Sequence, residues 1–555
     1  MGLTCEVAAH APAQDLERAL GDPCNPRAPI SFAALMEHDE REEPPSEAFE
    51  ALRIWGVHAR LVPESWGGHL TSFEELLALV RVVSRRDLVL TTGLGSTMLA
   101  AIPVWAWGGD EQRRQVADLL LGSGAFGCFA VSERDAGSDL QATATRADMA
   151  DGGYHLRGEK WLVGNASRAS FVVGLARTGP SLSLLFLRPD RLPAAACRRL
   201  PRIRTLGLRG HDMGGIAFED CRLPASALLE PAGRGMEMAL TTLQYTRTMI
   251  GGMALGAADT ALRLALGWGR ARRLYGQPIL AIPAVRALLL GAFLDVLIAE
   301  CVVTVAARAL TLAPRRMSLW AAVTKYLVPD LCEGIVRDAS AVLSARSYLR
   351  EGIAGGIFQK IARDVAIASI FEGTQLVQLS LIGSQLGQMR RTGRRDAEPV
   401  DLDRLCDLGT PAPAWDPSIT RLRIGDPGGD ELVERWFGPG EDRAGQAGLG
   451  PRAIAALRSL ERLSKSPTSV DFSLARRHCL VHAAACCLQI WRTNRDRLTP
   501  GAADGEWLVL CLERLAGGSD WAPTSADLEG PVFDWMLGQL ERAELFSILP
   551  FELAR

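Results

Sequence analysis

Apolar residues recur at three- and four-residue spacing through "ISFAALMEHDEREEPPSEAFEALRIWGV" and "TSFEELLALVRVVSRRDLVLTTGLGSTMLAAIPVWAW", which predicts a helical domain over 1–126. A Pro/Gly turn, "LVPESWGGHL", divides the two runs. From Gly127 the period shortens. The runs "CFAVSE", "YHLRGEKWLVG", "FVVGLA", "LSLLFLR" and "GIAFEDCRLP" are separated by Gly, Pro and Asp, and predict a β domain over 127–233. Helical spacing then returns in long pieces, about 236–270, 281–312, 317–345 and 362–389. Four apolar-faced helices on short links predict a bundle over 234–390. The charged, Pro- and Gly-rich stretch 391–415 reads as a linker, and 416–555 as an extra helical domain of three or four helices. Asp471 and Asp527 are the expected caps or pre-helix turns of two of them. The fold class is therefore mainly α with a central β domain.

Composition narrows the partners more than the fold. The 555 residues carry a net charge of -3 and 48% hydrophobic residues, an ordinary globular balance that gives nucleic acid and anionic membrane no electrostatic hold. Residues 1–14 lack the basic start and apolar core of a signal peptide, and no Ser or Thr completes a myristoylation motif. The most apolar run, "LLLGAFLDVLIAECVVTVAARAL", contains Asp295, Glu300 and Arg308, so it is expected to be a buried bundle helix and no transmembrane segment is predicted. Twelve cysteines without a CxxC pair, beside only eight histidines, predict free thiols in a cytoplasmic protein and no metal site. Cys486 and Cys487 read as small core residues.

Three motifs carry candidate chemistry. In "CFAVSERDAGSD" a strand runs into small residues whose backbone N–H groups and Ser138 hydroxyl can approach a flat or anionic ligand, although a plain strand-turn has the same text. "RARRLYGQPI" offers arginines for phosphate and Tyr275 for stacking, or simply a cationic helix end. "IASIFEGTQLVQ" places Glu372 among apolar residues before Gly-Thr. That acid is either a cap, or paired with an arginine such as Arg363, or a base of raised proton affinity suited to a weakly acidic carbon proton.

In this order and spacing, from roughly Ser31 to Arg390, the motifs resemble the acyl-CoA dehydrogenase family. "SERDAGSD" is similar to its T-E-P-x-A-G-S-D flavin loop, "IARDVAIASIFEGT" to its R-D-x-x-x-x-x-I-Y-E-G-T segment, and "RRLYGQPI" to its R-x-x-F-G-x-P block. The resemblance implies an N-terminal helical domain, a barrel-like middle domain and a four-helix bundle. It also implies an FAD enzyme that desaturates an acyl thioester between Cα and Cβ, the acyl group being carried by CoA or by an acyl carrier protein. Glu372 would be the base, with its backbone N–H and a cofactor ribityl hydroxyl polarising the thioester carbonyl. Phe129, Val131, Ser132, Gly137, Ser138, Gly373, Thr374 and Gln375 match cofactor-contacting positions, and Ser138, Arg247 and Gly373 match the substrate side. Arg272 and Tyr275 match residues that reach the FAD of a neighbouring subunit, which implies a homodimer or homotetramer. An electron-transfer flavoprotein or a similar acceptor is implied as the partner.

Several positions depart from the family pattern. Thr246 stands where some members keep the base, so Glu372 is the candidate that remains. In "KWLVGN", Leu162 and Gly164 occupy cofactor positions usually held by an aromatic and a hydroxyl, and strand alternation turns Trp161 the other way. In "AVLSA", Ser344 and Ala345 replace two glycines, at a cost of about 1–2 kcal/mol wherever φ must be positive. Pro283 replaces a usual Gln. These departures motivate two rivals: a redox-inactive scaffold of the same fold, and an oxidase passing electrons to oxygen through a flavin face opened at Leu162 and Gly164. The C-terminal extension resembles that of very-long-chain members in position and helical content, without a strongly cationic amphipathic face.

Overall fold

Ser31 and Ser72 begin two of the N-terminal helices by accepting the N–H of Ala34 and Glu75, as capping hydroxyls do. The computed structural model describes residues 8–392, 399–419, 421–425, 428–438, 448–465, 472–518, 521–522 and 526–555. The N-terminal helices are α1 (Ala11–Leu20), α2 (Phe32–Arg41), α3 (Ser46–Trp55), α4 (Phe73–Ser84), α5 (Leu88–Trp107) and α6 (Asp110–Ser123). The β unit contains β1 (Gly127–Ala130), β2 (Arg146–Ala150), β3 (Gly153–Gly164), β4 (Phe171–Thr178), β5 (Ser181–Leu187), β6 (Cys197–Arg199) and β7 (Met213–Pro224). Its sheet runs β1-β4-β2-β3-β7-β6, with β5 on the other edge of β4. The β3–β7 register slips between Trp161 and Val163, where Leu162 takes φ 57°. That bulge swings Leu162 out of the strand alternation.

The bundle is α7 (Gly235–Ala271), α8 (Pro283–Leu312), α9 (Met317–Leu343), α10 (Ile357–Asp364) and α11 (Gln375–Thr392), with a small hairpin of β8 (Arg273–Leu274) and β9 (Gln277–Pro278) after α7. Pro283 sits at the first position of α8, where its missing N–H costs nothing. The expected continuous helix over 362–389 is broken. After α10 the chain passes through a 3₁₀ turn (Val365–Ser369) and a non-helical link in which Glu372 has φ 56° and Gly373 φ 99°. Apolar spacing on both sides hides the break from a periodicity reading. Ser344, at the end of α9, also has φ 56°, so the strain foreseen for the lost glycine is present.

The extension carries α12 (Leu402–Cys406), α13 (Glu431–Phe437), α14 (Pro451–Lys465), α15 (Phe472–Asn494), α16 (Pro500–Ala503), α17 (Glu506–Gly517) and α18 (Ala526–Glu541). Asp471 lies outside the described residues. Asp527 is not a cap: α18 starts one residue earlier and places it in the first turn, where the helix dipole favours an acid.

Helices α5, α7 and α8 are long and apolar enough to cross a membrane, yet 83%, 89% and 89% of their most apolar windows are buried in the protein. Three of the four charges of α8 explain how that helix is covered. Asp295 receives a bidentate pair from Arg514 of α17 at 2.5 and 2.6 Å. Glu300 accepts from Ser547 Oγ, Ile548 N and Arg81. Arg308 donates to Glu74 at 2.5 Å and to the carbonyls of Arg404, Leu405, Asp407 and Thr410. Each charge thus binds the extension or its approach, where a buried ion satisfied in this way avoids the penalty of isolation.

Replacing Arg308 by Met strands the Glu74 carboxylate and four carbonyls. We expect a loss of about 3–5 kcal/mol of stability, read from the chemical denaturation midpoint. Lys at the same position lacks the planar donor fork and should recover only part of it.

Candidate active site

The break between α10 and α11 turns Glu372 toward the interior. Its carboxylate Oε2 accepts the Thr246 hydroxyl of α7 at 2.5 Å, while Arg247 Nε donates to the Glu372 backbone carbonyl at 3.0 Å. Gln378 Nε2 holds the Gly373 carbonyl at 3.1 Å. Behind the turn, Lys325 of α9 donates to the Ala368 carbonyl at 2.5 Å and lies 3.4 Å from that of Gly373. A left-handed glutamate is costly on its own, so this ring of donors is what keeps it in place. Arg363, the alternative ion-pair partner, instead pairs with Asp39 at 2.6 Å. Arg247 addresses the carbonyl of Glu372 and leaves its carboxylate to Thr246.

Burial raises the proton affinity of Glu372; the Thr246 hydrogen bond and the cations Arg247 and Lys325 pull it partly back, and the net direction is up. Burial likewise lowers Arg247 to about 10 and Lys325 to about 8. A carboxylate with raised affinity, flanked by cations that stabilise its ionised form, can take a proton from a poor acid.

Glu372 opens on a cavity of about 780 Å³ walled by α4, α5, β1, β3, α7 and the 367–381 segment. Phe129, Val131, Ser132, Gly137, Ser138, Leu162, Gly164, Arg247, Glu372 and Gly373 all line it. The loop that carries Gly137 and Ser138 is anchored by Glu133, which accepts from Ala144 N, Thr145 and the buried Lys160. Ser132 spends its hydroxyl on the Trp161 carbonyl at 2.9 Å. The Leu162 bulge sends that side chain into the cavity, while Trp161 is outside the lining and carries the Arg134 guanidinium 5.1 Å from its ring centre.

Four positions fall elsewhere. Thr374 and Gln375 are outside the lining, because α11 leads them away from the break; Gln375 reaches Asp330 and Ser369 instead. Arg272 ends α7 and Tyr275 sits in the turn of the β8–β9 hairpin, where it is 96% exposed.

Two groups escaped the sequence reading. Lys325 is one of only four lysines, set in an apolar helix, and that isolation was the available signal. His211 is buried and lines the cavity with both ring nitrogens unpartnered; burial drives it down to about 3, so it is a neutral imidazole. A Cβ on Gly164 would meet Ser96 Oγ at 2.4 Å and His211 Nε2 at 3.0 Å. The room left by this glycine is therefore bordered by polar groups from α5 and the β6–β7 connection.

Residues 31–121, 128–221 and 233–387 match the family models of the acyl-CoA dehydrogenase N-terminal, middle and C-terminal domains. The chain is 28% identical to a probable acyl-CoA dehydrogenase, FadE25, of Mycobacterium tuberculosis over 347 residues, 62% of this chain and 87% of that protein. An acyl-CoA dehydrogenase complexed with FAD from Bacillus anthracis shares the fold with a TM-score of 0.71 and 17% identity, covering 98% of this chain and 94% of its own. The prolyl acyl carrier protein oxidase AnaB has a TM-score of 0.63 at 20% identity over 68% of this chain and 99% of its own.

Removing a neighbouring charge or hydrogen bond that favours ionised Glu372 raises its proton affinity further. Lys325→Met and Thr246→Val should each move the acid limb of the pH–rate profile to higher pH, measured as kcat/KM; an unmoved limb in both variants contradicts the electrostatic reading.

Proposed function

The chain belongs to the acyl-CoA dehydrogenase family, and from that premise we propose that it removes two hydrogens across Cα–Cβ of an acyl thioester with Glu372 as base and FAD as cofactor. The observation that carries this reading is the position of Glu372: one carboxylate, of raised proton affinity, held by a hydroxyl on one side and facing a large apolar cavity. With Oε2 engaged by Thr246, the proton from Cα passes to Oε1. The donors on the Glu372 and Gly373 carbonyls keep the turn from recoiling as charge is lost. Leu76, Leu79 and Met249 wall the cavity with apolar surface, which excludes water and accepts a hydrocarbon chain.

The residues present fit a flavin. Gly95 and Gly137 line the cavity, and no protein atom lies within 4 Å of where a Cβ would sit on either, so their smallness serves an occupant and not the chain's own packing. His211 offers an orphaned donor and acceptor in the same wall, and an unpaired buried imidazole is costly until something pairs it. Phe129, Val131, Gly137 and Leu162 would hold the cofactor. FAD supplies the hydride acceptor for the Cβ hydrogen.

The acyl carrier is CoA or the phosphopantetheine arm of a carrier protein, and turnover on matched thioesters of the two kinds separates them. An electron-transfer flavoprotein or similar acceptor fits the family. A homo-oligomer fits the family resemblance, in which the position of Tyr275, 96% exposed here, reaches a neighbouring subunit's cofactor. The eleven described cysteines are all free, which fits a reducing cytoplasm.

Glu372→Gln should leave FAD bound and abolish substrate-dependent bleaching of its visible band; unchanged bleaching refutes the base. His211→Leu should weaken FAD binding roughly 10-fold, the worth of one buried hydrogen bond, measured by apoprotein titration, while bleaching by substrate persists.

A further inference from the structure

The extension contains a cluster that the cavity does not use. Asp430 caps α13 through Oδ1, which accepts Val433 N at 3.3 Å. Its Oδ2 lies 2.9 Å from His482 Nδ1 and 3.0 Å from His478 Nε2. The two histidines are one turn apart on α15, so they share a face. Asp430 and His482 are 2% exposed as side chains, and His478 11%.

Two independent features separate this trio from the other buried acids. The other buried acids pair with an arginine or a lysine, except Asp212, which accepts two backbone N–H groups. Asp430 instead has two imidazoles against its Oδ2 and no arginine or lysine paired with it among the described residues. Moreover, His478 Nε2 is buried without a hydrogen-bond partner despite its 3.0 Å approach to the carboxylate. The ring nitrogen is near the oxygen but not aligned to donate to it.

We propose that Asp430, His478 and His482 form a binding site for a divalent transition-metal ion, with two imidazole nitrogens and one carboxylate oxygen as ligands. Their ligand atoms all lie within 4.8 Å of one another. A tetrahedral Zn²⁺ site needs them roughly 3.3 Å apart, so side-chain adjustments suffice. Mixed nitrogen and oxygen donors favour Zn²⁺ and its first-row neighbours over Ca²⁺ or Mg²⁺. Three protein ligands leave a fourth position for water. None of the three lines the large cavity. The ion would staple α13 to α15, and by mass action stabilise the extension that binds it.

The test uses the full-length protein, stripped with chelator, equilibrated with Zn²⁺ and freed of excess by gel filtration. Mass spectrometry of the metal should find about one ion per chain, with a raised thermal midpoint. Asp430→Asn and His482→Gln, which preserve shape, should weaken Zn²⁺ binding by at least about 10-fold and lose the thermal gain, their folding checked by circular dichroism. Wild-type protein that retains no zinc overturns the proposal and identifies the trio as a proton-held His–Asp–His cluster. Equal zinc in the variants overturns it by placing the ion elsewhere. Should the variants fail to fold, X-ray absorption on the wild type decides: a shell with two imidazoles supports the site, and one with sulfur or no imidazole overturns it.

Discussion

The proposed chemistry depends on keeping one half-buried acid, Glu372, inside an apolar cavity and still ionisable. A carboxylate enclosed by apolar walls tends to stay protonated, which would make it useless as a base. Here the balance comes from three elements of the bundle at once. The α7 helix supplies a hydroxyl and a guanidinium, α9 supplies an ammonium, and α11 supplies the amide that ties down the next carbonyl. The cations act mostly on backbone oxygens. They stabilise the left-handed turn and the charge together without capping the side chain itself, so the acid is oriented and its second oxygen is left to work.

Much of this was legible in the chain. The helical, β and helical thirds follow from a change in apolar period, and the same apolar setting that makes Glu372 conspicuous in the text makes its proton affinity high in the fold. The loop "AGSD" and Glu372 arrive at one cavity from residues more than two hundred positions apart, which their types foretold and their spacing alone did not. The break before α11 was invisible because a left-handed glutamate leaves no trace in hydrophobic periodicity; only the glycine after it hints at a special backbone. His211 and Ser96 were invisible for a different reason. Their meaning comes from the space that Gly164 vacates, a relation between three distant elements.

The departures from the family pattern read differently once their surroundings are known. Leu162 reaches the cavity because a bulge carries it there, and Trp161 finds an arginine on the far face. Ser344 stands where the family pattern has a glycine, takes φ 56° and bears the strain of that backbone at the end of α9. Histidine scarcity concealed the Asp430 cluster: eight histidines looked too few, yet two fall at positions 478 and 482, the helical spacing that brings side chains together.

Helix α8 has a wider consequence. Its two acids and Arg308 are answered by groups that all come from beyond the bundle or from its N-terminal neighbours, so the bundle and the extension share one set of electrostatic terms. Cutting the chain after the bundle would strip Asp295 of Arg514, Glu300 of its Ser547 and Ile548 donors, and Arg308 of four carbonyls. The truncated protein would carry an ionised groove along an otherwise oily rod, so the last helices are a cover the bundle requires and not a detachable module.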